Sequence, residues 1–488
     1  MSLPADASYA IQAVFGKAAE VPSGGNVRAA IEQVGADATA DCPGVVVLAP
    51  GDYAPGEDDA GDYAFEISQN VIVKATGSSP AETVLNASKK RGVKLAAGSR
   101  IENLTLTNCT AAGTAGYAFG ILAQDADVID CVLKGGAGIR YVSPGDHPES
   151  YVEQHGGLFR NFTIDGAYNW CPWSLSDGAR AENVCVSNCN RSASGGTVGL
   201  MPCGMSIKGE GTVVSNLVYC NNTLRKGWDH SGFGIYLSGS AELVDSVVCN
   251  NKIELHNSYN GILPVVQIAG GMMRRTRVVC NYSDVRPWNP NTGAYSGVYI
   301  TSGLAENCLI ASNTLAKAEE SHVNNGTRRA AGVYLGGGTL ANTTVAGNSS
   351  CLAGDVHGVS MSGGTIVNSI IAGNGESEGS AQVAKVANGT DNVLLQSLTA
   401  IDAGITYTLV GDAGALNPAG EGVLIGDPCF RNASNGDYHP TGVSPARRAG
   451  SISETVSLDL DGAVRPAGKR SDLGCYVVDS KGMLIILR

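Results

Sequence analysis

The chain repeats one short sentence, and that repetition limits the fold more than any other feature. Residues 231–252 read SGFGIYLSGSAELVDSVVCNNK: a glycine, an apolar strand, a glycine turn, a second apolar strand and an asparagine pair. The same order returns as SGVYITSGLAENCLIASNT from Ser296, AGVYLGGGTLANTTVAGNS from Ala331 and HGVSMSGGTIVNSIIAGNG from His357. The polar residue entering the second strand marks the register. It falls at Asn103, Asp130, Asn161, Asn183, Asn216, Asp245, Thr276, Asn307, Asn342 and Asn368. These marks recur about every 29 residues, a period typical of stacked-turn arrays. Three residues after each mark the chain is apolar, from Leu106 through Tyr219 and Val279 to Ile371. Six residues after it, asparagine returns at Asn222, Asn251, Asn313, Asn348 and Asn374.

Asparagine tolerates the left-handed backbone that a tight corner needs. Identical asparagines on successive layers also hydrogen-bond as a ladder. Strands of four to six residues cannot bury a face alone, but they can when each turn stacks on the next at about 4.8 Å. The fold class is therefore all-β: a right-handed parallel β-helix solenoid of about ten to twelve coils. An antiparallel sandwich of short strands is the competing reading, and the fixed register of the asparagines argues against it.

A solenoid is one continuous core, so the 488 residues do not divide into the several domains that length alone suggests. We expect a lead-in with a capping helix over residues 1–37, the coil over 38–375, and last irregular coils with a C-terminal cap over 376–488. The helix is expected from Asn26 to Gly35. Asn26 can N-cap it, Val27, Ala30, Ile31 and Val34 form one apolar face, and Gly35 can end it. Solenoids need their open bore covered, and this helix is the expected plug.

The net charge is −12 and no basic face is visible, which excludes nucleic acid as a partner. No apolar run reaches the 18 or so residues of a membrane span. The opening MSLPADASYA shows no leader pattern, and a mature chain with its leader removed is the favoured reading. Cys220, Cys249 and Cys280 each stand four residues after a mark, so a stack of small apolar filler is expected rather than a disulfide framework. No CxxC occurs, which argues against a zinc site.

After the expected helix comes VVVLAPGDY at residues 45–53, then Ile67, Val71, Val73 and Ala75 in an I-x-x-x-V-x-V-x-A pattern. This opening resembles that of the pectate-lyase-like superfamily of right-handed β-helices. Residues 427–476 carry DPCF, GDYHP, SPARRAG, DLDGAVRP and SDLGCY in that order. They resemble the choice-of-anchor Q region of bacterial surface and secreted β-helix proteins, which implies a secreted or cell-surface location. That family usually reads SPAIDAG where this chain has Arg447 and Arg448. Most of these motif residues read as turn formers.

Variable insertions leave the repeat at one corner, at residues 140–157, 167–178, 224–232, 253–261, 282–297 and 316–329, and so should line one groove. They hold all four tryptophans, Trp170, Trp173, Trp228 and Trp288, with His147, His155, His230, His256 and His322. Exposed aromatics mark binding surfaces, and flat rings suit the C–H faces of a sugar polymer. The plainer reading is that these rings pack over the coil and pin their own loops. The substrate-binding candidates are Trp170, Trp173, Trp228, Tyr259 and Trp288. The catalytic candidates are Lys226, Asp229, His230, His256 and Arg286, because a uronate lyase needs a base and a cation or metal to neutralise the carboxylate. A glycosidase needs two carboxyl groups roughly 5–10 Å apart, and only Glu254 and Asp284 stand near Asp229. No cofactor motif is evident; calcium is the candidate metal. The expected partner is polysaccharide. The competing function is a non-catalytic surface adhesin or envelope component. Finally, Arg274, Arg275 and Arg277 break the apolar pattern around Thr276. Either the register slips there, or a basic strip faces the groove.

Overall fold

The computed structural model describes residues 16–56, 61–110, 120–136, 150–167, 171–191, 204–226, 234–255, 264–285, 294–295, 297–317, 329–350, 356–375, 383–385, 405–410, 421–453 and 457–478. Successive turns pair in parallel to build three long ladders. In the first, Tyr63–Ile67 pairs with Arg91–Leu95, and the ladder continues through Ile121–Gln124, Ser150–His155 and Cys171–Ser176. The second runs from Gly44–Leu48 through Val71–Ala75 and Arg100–Glu102. The third runs from Gly51–Tyr53 through Thr83–Asn86 and Thr105–Thr107. A shorter fourth sheet follows the third ladder between Asn190–Arg191 and Ser349–Ser350. The fold is a parallel β-helix. Its regular coil makes about 9 turns, and partial rungs such as Ala18–Val21 and Leu424–Ile425 carry the ladders further.

Each rung points alternate side chains inward, so one file of each ladder fills the bore. Val46, Val73, Ile101, Val128 and Phe159 do so on the second ladder, and all are buried. The corners between the second and third ladders are single left-handed residues. The register marks take that conformation at Asn103, Asp130, Asn161, Asn183, Asn216, Asp245, Asn307, Asn342 and Asn368, with φ between 45 and 57°. The mark expected at Thr276 lies one residue earlier: Arg275 holds the corner at φ 45°. The register does slip there, and the arginines follow from it. Arg275 pairs with Asp245, the corner residue of the previous rung, at 2.6 Å. Arg274 faces outward between Glu242 and Glu306, and Arg277 meets Asp461 at 2.6 Å. They lie on the second and third ladders, each with a carboxylate, and make no free basic strip.

The slip moves every later position on that rung. The inward residue is Val278, not Val279. Asn281 joins the asparagine set that the spacing had missed. Cys280 leaves the cysteine stack for the next left-handed corner at φ 56°, while Cys220 and Cys249 pair in register as expected. Burial pushes the Cys220 thiol up to about 11, in keeping with filler rather than a reactive group. The cysteines of the described residues are free.

The asparagines six positions on form one buried chain. Asn222, Asn251, Asn281, Asn313 and Asn348 each donate Nδ2–H to the Oδ1 of the next, ending on Asn374, at 2.9–3.0 Å. Each Oδ1 also accepts the backbone N–H of the asparagine before it. The polar file is therefore satisfied within the coil by its own members.

The helix spans Val27–Gly35. Asn26 Oδ1 accepts from the Ala29 N–H, and Val27, Ala30, Ile31 and Val34 are buried, as expected. Its end differs: Ala36 follows in right-handed conformation, so Gly35 provides no left-handed stop. The buried face joins the same apolar cluster as Val46 and Val71.

The C-terminal region lies along the flank of the third ladder. Tyr438, Leu460, Cys475 and Tyr476 pack on Leu309, Ala311 and Ala346, and Ala446 and Leu473 on Ile370, Ala372 and Leu409. The outward positions of the ladder explain the docking. They are Thr105 and Thr107 or Thr163 and Asp165 on early rungs, but Leu309 and Ala311 or Ile370 and Ala372 on late ones. Asp459 acts as a turn former there, taking the N–H groups of Asp461, Ala463 and Val477.

Candidate functional site

Two of the expected insertions contain ladder strands. Residues 150–155 and 171–176 belong to the first ladder, with Val152 opposite Trp173 and Gln154 opposite Leu175. Trp173 is therefore not on a binding surface. It is fully buried in the bore, 5.4 Å from the ring centres of both Phe159 and Phe162. His155 likewise ends a strand. The phase of the repeat carried the signal: W-S-L-S-D-G matches I-Y-L-S-G-S, with Trp173 in the place of Ile235.

Trp170, Trp228, Asp229, His230, His256, Tyr259, Arg286 and Trp288 lie outside the described residues, as do His147 and His322. Lys226 ends the strand Thr223–Lys226, opposite Leu255. In the same sheet the backbone sets Arg225, Glu254 and Asp284 side by side on successive rungs.

What the structure adds is the surface those insertions lead into. Residues 227–233 and 256–263 precede strands of the first ladder, and residues 286–293 precede the short strand Ala294–Tyr295, which pairs with Arg329–Ala330 just before the next first-ladder strand begins at Val298. The outward positions of the first ladder form one file in strict register: Glu153, Ser174, Ser206, Tyr236, Gln267, Tyr299, Tyr334 and Ser360. Tyr236 and Tyr299 are half-buried. The Tyr299 and Tyr334 rings meet at a tilt of 53° with their centres 5.2 Å apart, and Tyr334 Oη donates to Ser362 Oγ at 2.8 Å. Ser206 Oγ, Gln267 Oε1 and Ser360 Oγ are buried with no hydrogen-bond partner among the described residues. Three orphaned groups on one file are unusual, since each costs about 1–3 kcal/mol. Sequence reading missed this file, although the recurring tyrosine of IYL, VYI and VYL stood in the repeat.

Earlier rungs carry the file back through Leu122 and Lys94 to Glu66; on its own rung Glu153 faces His155. The imidazole Nδ1 lies 2.9 Å from Asp177 Oδ2 and its Nε2 3.9 Å from Glu153 Oε2. Glu153, then Asp177, raises the His155 pKa to about 9. Glu153 is the farther carboxylate but the more buried one, so its charge is less screened. His155 is thus an imidazolium at neutral pH and no general base. Its pairing is complete below its unfolded pKa, about 6.5, and is lost as pH rises through about 9. The pKa of Asp177 is lowered chiefly by His155, so its contribution fades only in acid. We expect the imidazole resonances to titrate near pH 9, with Glu153→Gln lowering that midpoint. A midpoint at or below 6.5 in the parent chain would refute the pairing.

Among the described residues, no group of three or more His, Cys, Asp or Glu could hold a metal ion, and no helix is long and apolar enough to cross a membrane.

No protein-family model matches the chain, and no curated protein sequence does. Several solved structures are similar. A PL6 family alginate lyase, AlyGC, in mutant form, is 13% identical with a TM-score of 0.43, covering 86% of this chain and 55% of that one. Pectate lyase Pel9A is 14% identical with a TM-score of 0.32, covering 95% and 97%. The A-module of mannuronan C-5 epimerase AlgE4 from Azotobacter vinelandii is 12% identical with a TM-score of 0.30, covering 75% and 94%. Likeness at this level carries no activity to this chain; the fold rests on the ladders themselves.

Proposed function

We propose that this chain is a secreted or cell-surface protein that binds a polysaccharide along the outward file of the first ladder and cleaves it by a lyase- or glycosidase-type reaction. The observation that carries this reading is the file itself: half-buried tyrosines in register with orphaned hydroxyl and amide groups, preceded in the chain by the insertions that hold the candidate residues. The rung spacing of about 4.8 Å is close to the advance of one sugar unit in an extended chain. Phenol rings suit the C–H faces of such units. Lys226, Asp229, His230, His256 and Arg286 remain the proposed chemical groups, with calcium the metal to try. The motifs resembling choice-of-anchor Q support the location.

The test is depletion of acidic and neutral polysaccharides, following 235 nm absorbance and reducing ends, with and without calcium. Absorbance at 235 nm reports the unsaturated product of a lyase; reducing ends alone report hydrolysis. Tyr236→Ala should weaken polymer binding about tenfold, or about 1.4 kcal/mol. No binding and no cleavage of any polymer would overturn the proposal and leave the non-catalytic surface protein.

A further inference from the structure

A cleft of about 760 Å³ opens between the flank of the coil and the C-terminal region. It lies apart from the first-ladder file. Glu306, Asn342 and Asn368 line it from the corners between the second and third ladders. Arg447, Arg448, Arg465, Lys469, Arg470 and Asp472 line it from the opposite wall. A chain of net charge −12 has thus gathered five cations against two carboxylates in one place.

Both carboxylates are already engaged. Glu306 pairs with Arg274 at 3.3 Å. Asp472 accepts the backbone N–H groups of Arg448 at 2.6 Å and Val478 at 2.8 Å. Among the described residues no carboxylate pairs with any of the five cations. Arg465 is the sharpest case, being only 4% exposed. Its two terminal nitrogens donate to the carbonyls of Asp472 and Gly474, at 2.8 and 2.6 Å, and its Nε has no partner. Asp459, Asp472 and Glu306 are near enough to offset part of its charge, but its hydrogen bonds go to carbonyls and none of these carboxylates is in ion-pair contact, so the buried guanidinium keeps capacity for an anion. Asn342 Oδ1, on the facing wall, is also buried and unpartnered.

The cations are also placed, not merely nearby. Arg448 sits at φ 50°, a conformation that non-glycine residues rarely take, fixed by its N–H bond to Asp472. Arg470 lies over the Tyr407 ring at 5.9 Å. Planar guanidinium forks in such a setting recognise carboxylate, sulfate or phosphate oxygens.

We propose that this cleft binds an oxyanionic ligand, presented either by an acidic sugar or by a free inorganic anion. Its volume lies in the range of small-molecule sites. The test titrates the full chain with inorganic sulfate, inorganic phosphate, a uronate trisaccharide and a neutral trisaccharide. Tyr236→Ala serves as background, which weakens the contribution of the first-ladder file. Saturable binding of an anionic probe, weakening as salt rises, is expected, with no binding of the neutral sugar. The uronate binding alone assigns an acidic sugar; sulfate or phosphate binding equally well assigns a free anion. The double variant Arg447→Glu, Arg448→Glu should weaken binding at least tenfold. Lys469→Glu with Arg470→Glu, both exposed, provides a second reading should the first pair disturb folding. Anion binding that is absent at millimolar concentration, or unchanged in both folded double variants, would overturn the proposal.

Discussion

Asn281→Ala is expected to destabilise the coil by about 3–5 kcal/mol and to split its unfolding into two steps. In the parent chain, Asn281 Oδ1 accepts both the backbone N–H and the Nδ2–H of Asn251. Its own Nδ2 donates to the carbonyl of Val248 and to Asn313 Oδ1. Alanine leaves the Asn251 N–H and the Val248 carbonyl buried without these partners, at about 1–3 kcal/mol each, and leaves a void. A solenoid's stability is a sum of rung terms and neighbour terms, so the loss falls on one interface and uncouples the rungs on either side. Urea unfolding followed by hydrogen exchange at residues 251 and 281 tests this. One transition within about 1 kcal/mol of the parent would show that the ladder is ornamental.

Asn281→Asp provides the electrostatic version. It keeps an acceptor for Asn251 but sets an oxygen against the Val248 carbonyl and Asn313 Oδ1. Burial should raise the carboxyl's folded pKa above its unfolded value of about 3.9. The folded state then binds more protons than the unfolded, so stability recovers as pH falls toward 4 and is lost as pH rises through the raised pKa.

How much of this was legible in the sequence depends on what each residue's role is tied to. Bore positions and corners repeat with the chain, so the period alone located Leu106, Val248 and Ile371 inside and Asn216 or Asn342 at a left-handed turn. The slip at Thr276 arose because Arg275 occupies a corner that Asn or Asp holds on the other rungs from Asn103 to Asn368. A long cation is tolerated there only because Asp245 of the rung below neutralises it, a contact 30 residues away that no local pattern reveals. The outward file was hidden for a different reason. Ser206, Tyr236 and Gln267 share no chemistry in sequence; only the pairing of rungs puts them in line. The basic cleft is less legible still. Glu306 and Arg465 stand far apart in the chain, and the region that holds Arg465 docks sideways on the coil.

Trp173→Ala is expected to cost about 3–5 kcal/mol while leaving polysaccharide binding per folded molecule unchanged. Trp173 was a groove candidate because aromatic residues in an apparent insertion suggest a surface. Its strand instead lies between Val152 and Met205 in the first ladder, and its ring closes an aromatic triad in the bore, with Phe159 and Phe162 themselves 5.2 Å apart. The triad needs all three members because a bore enclosed by ladders relaxes little when a large ring is removed, and the cavity adds to the transfer cost. Trp173→Phe should lose less than the alanine variant, since most of the volume remains. The two roles give opposite readouts. A binding-surface tryptophan would keep the melting temperature and lose affinity; a bore tryptophan lowers the melting temperature and spares affinity. Measuring both on one preparation decides the matter, and a Trp173→Ala chain that is as stable as the parent but fails to bind polymer would return this residue to the groove.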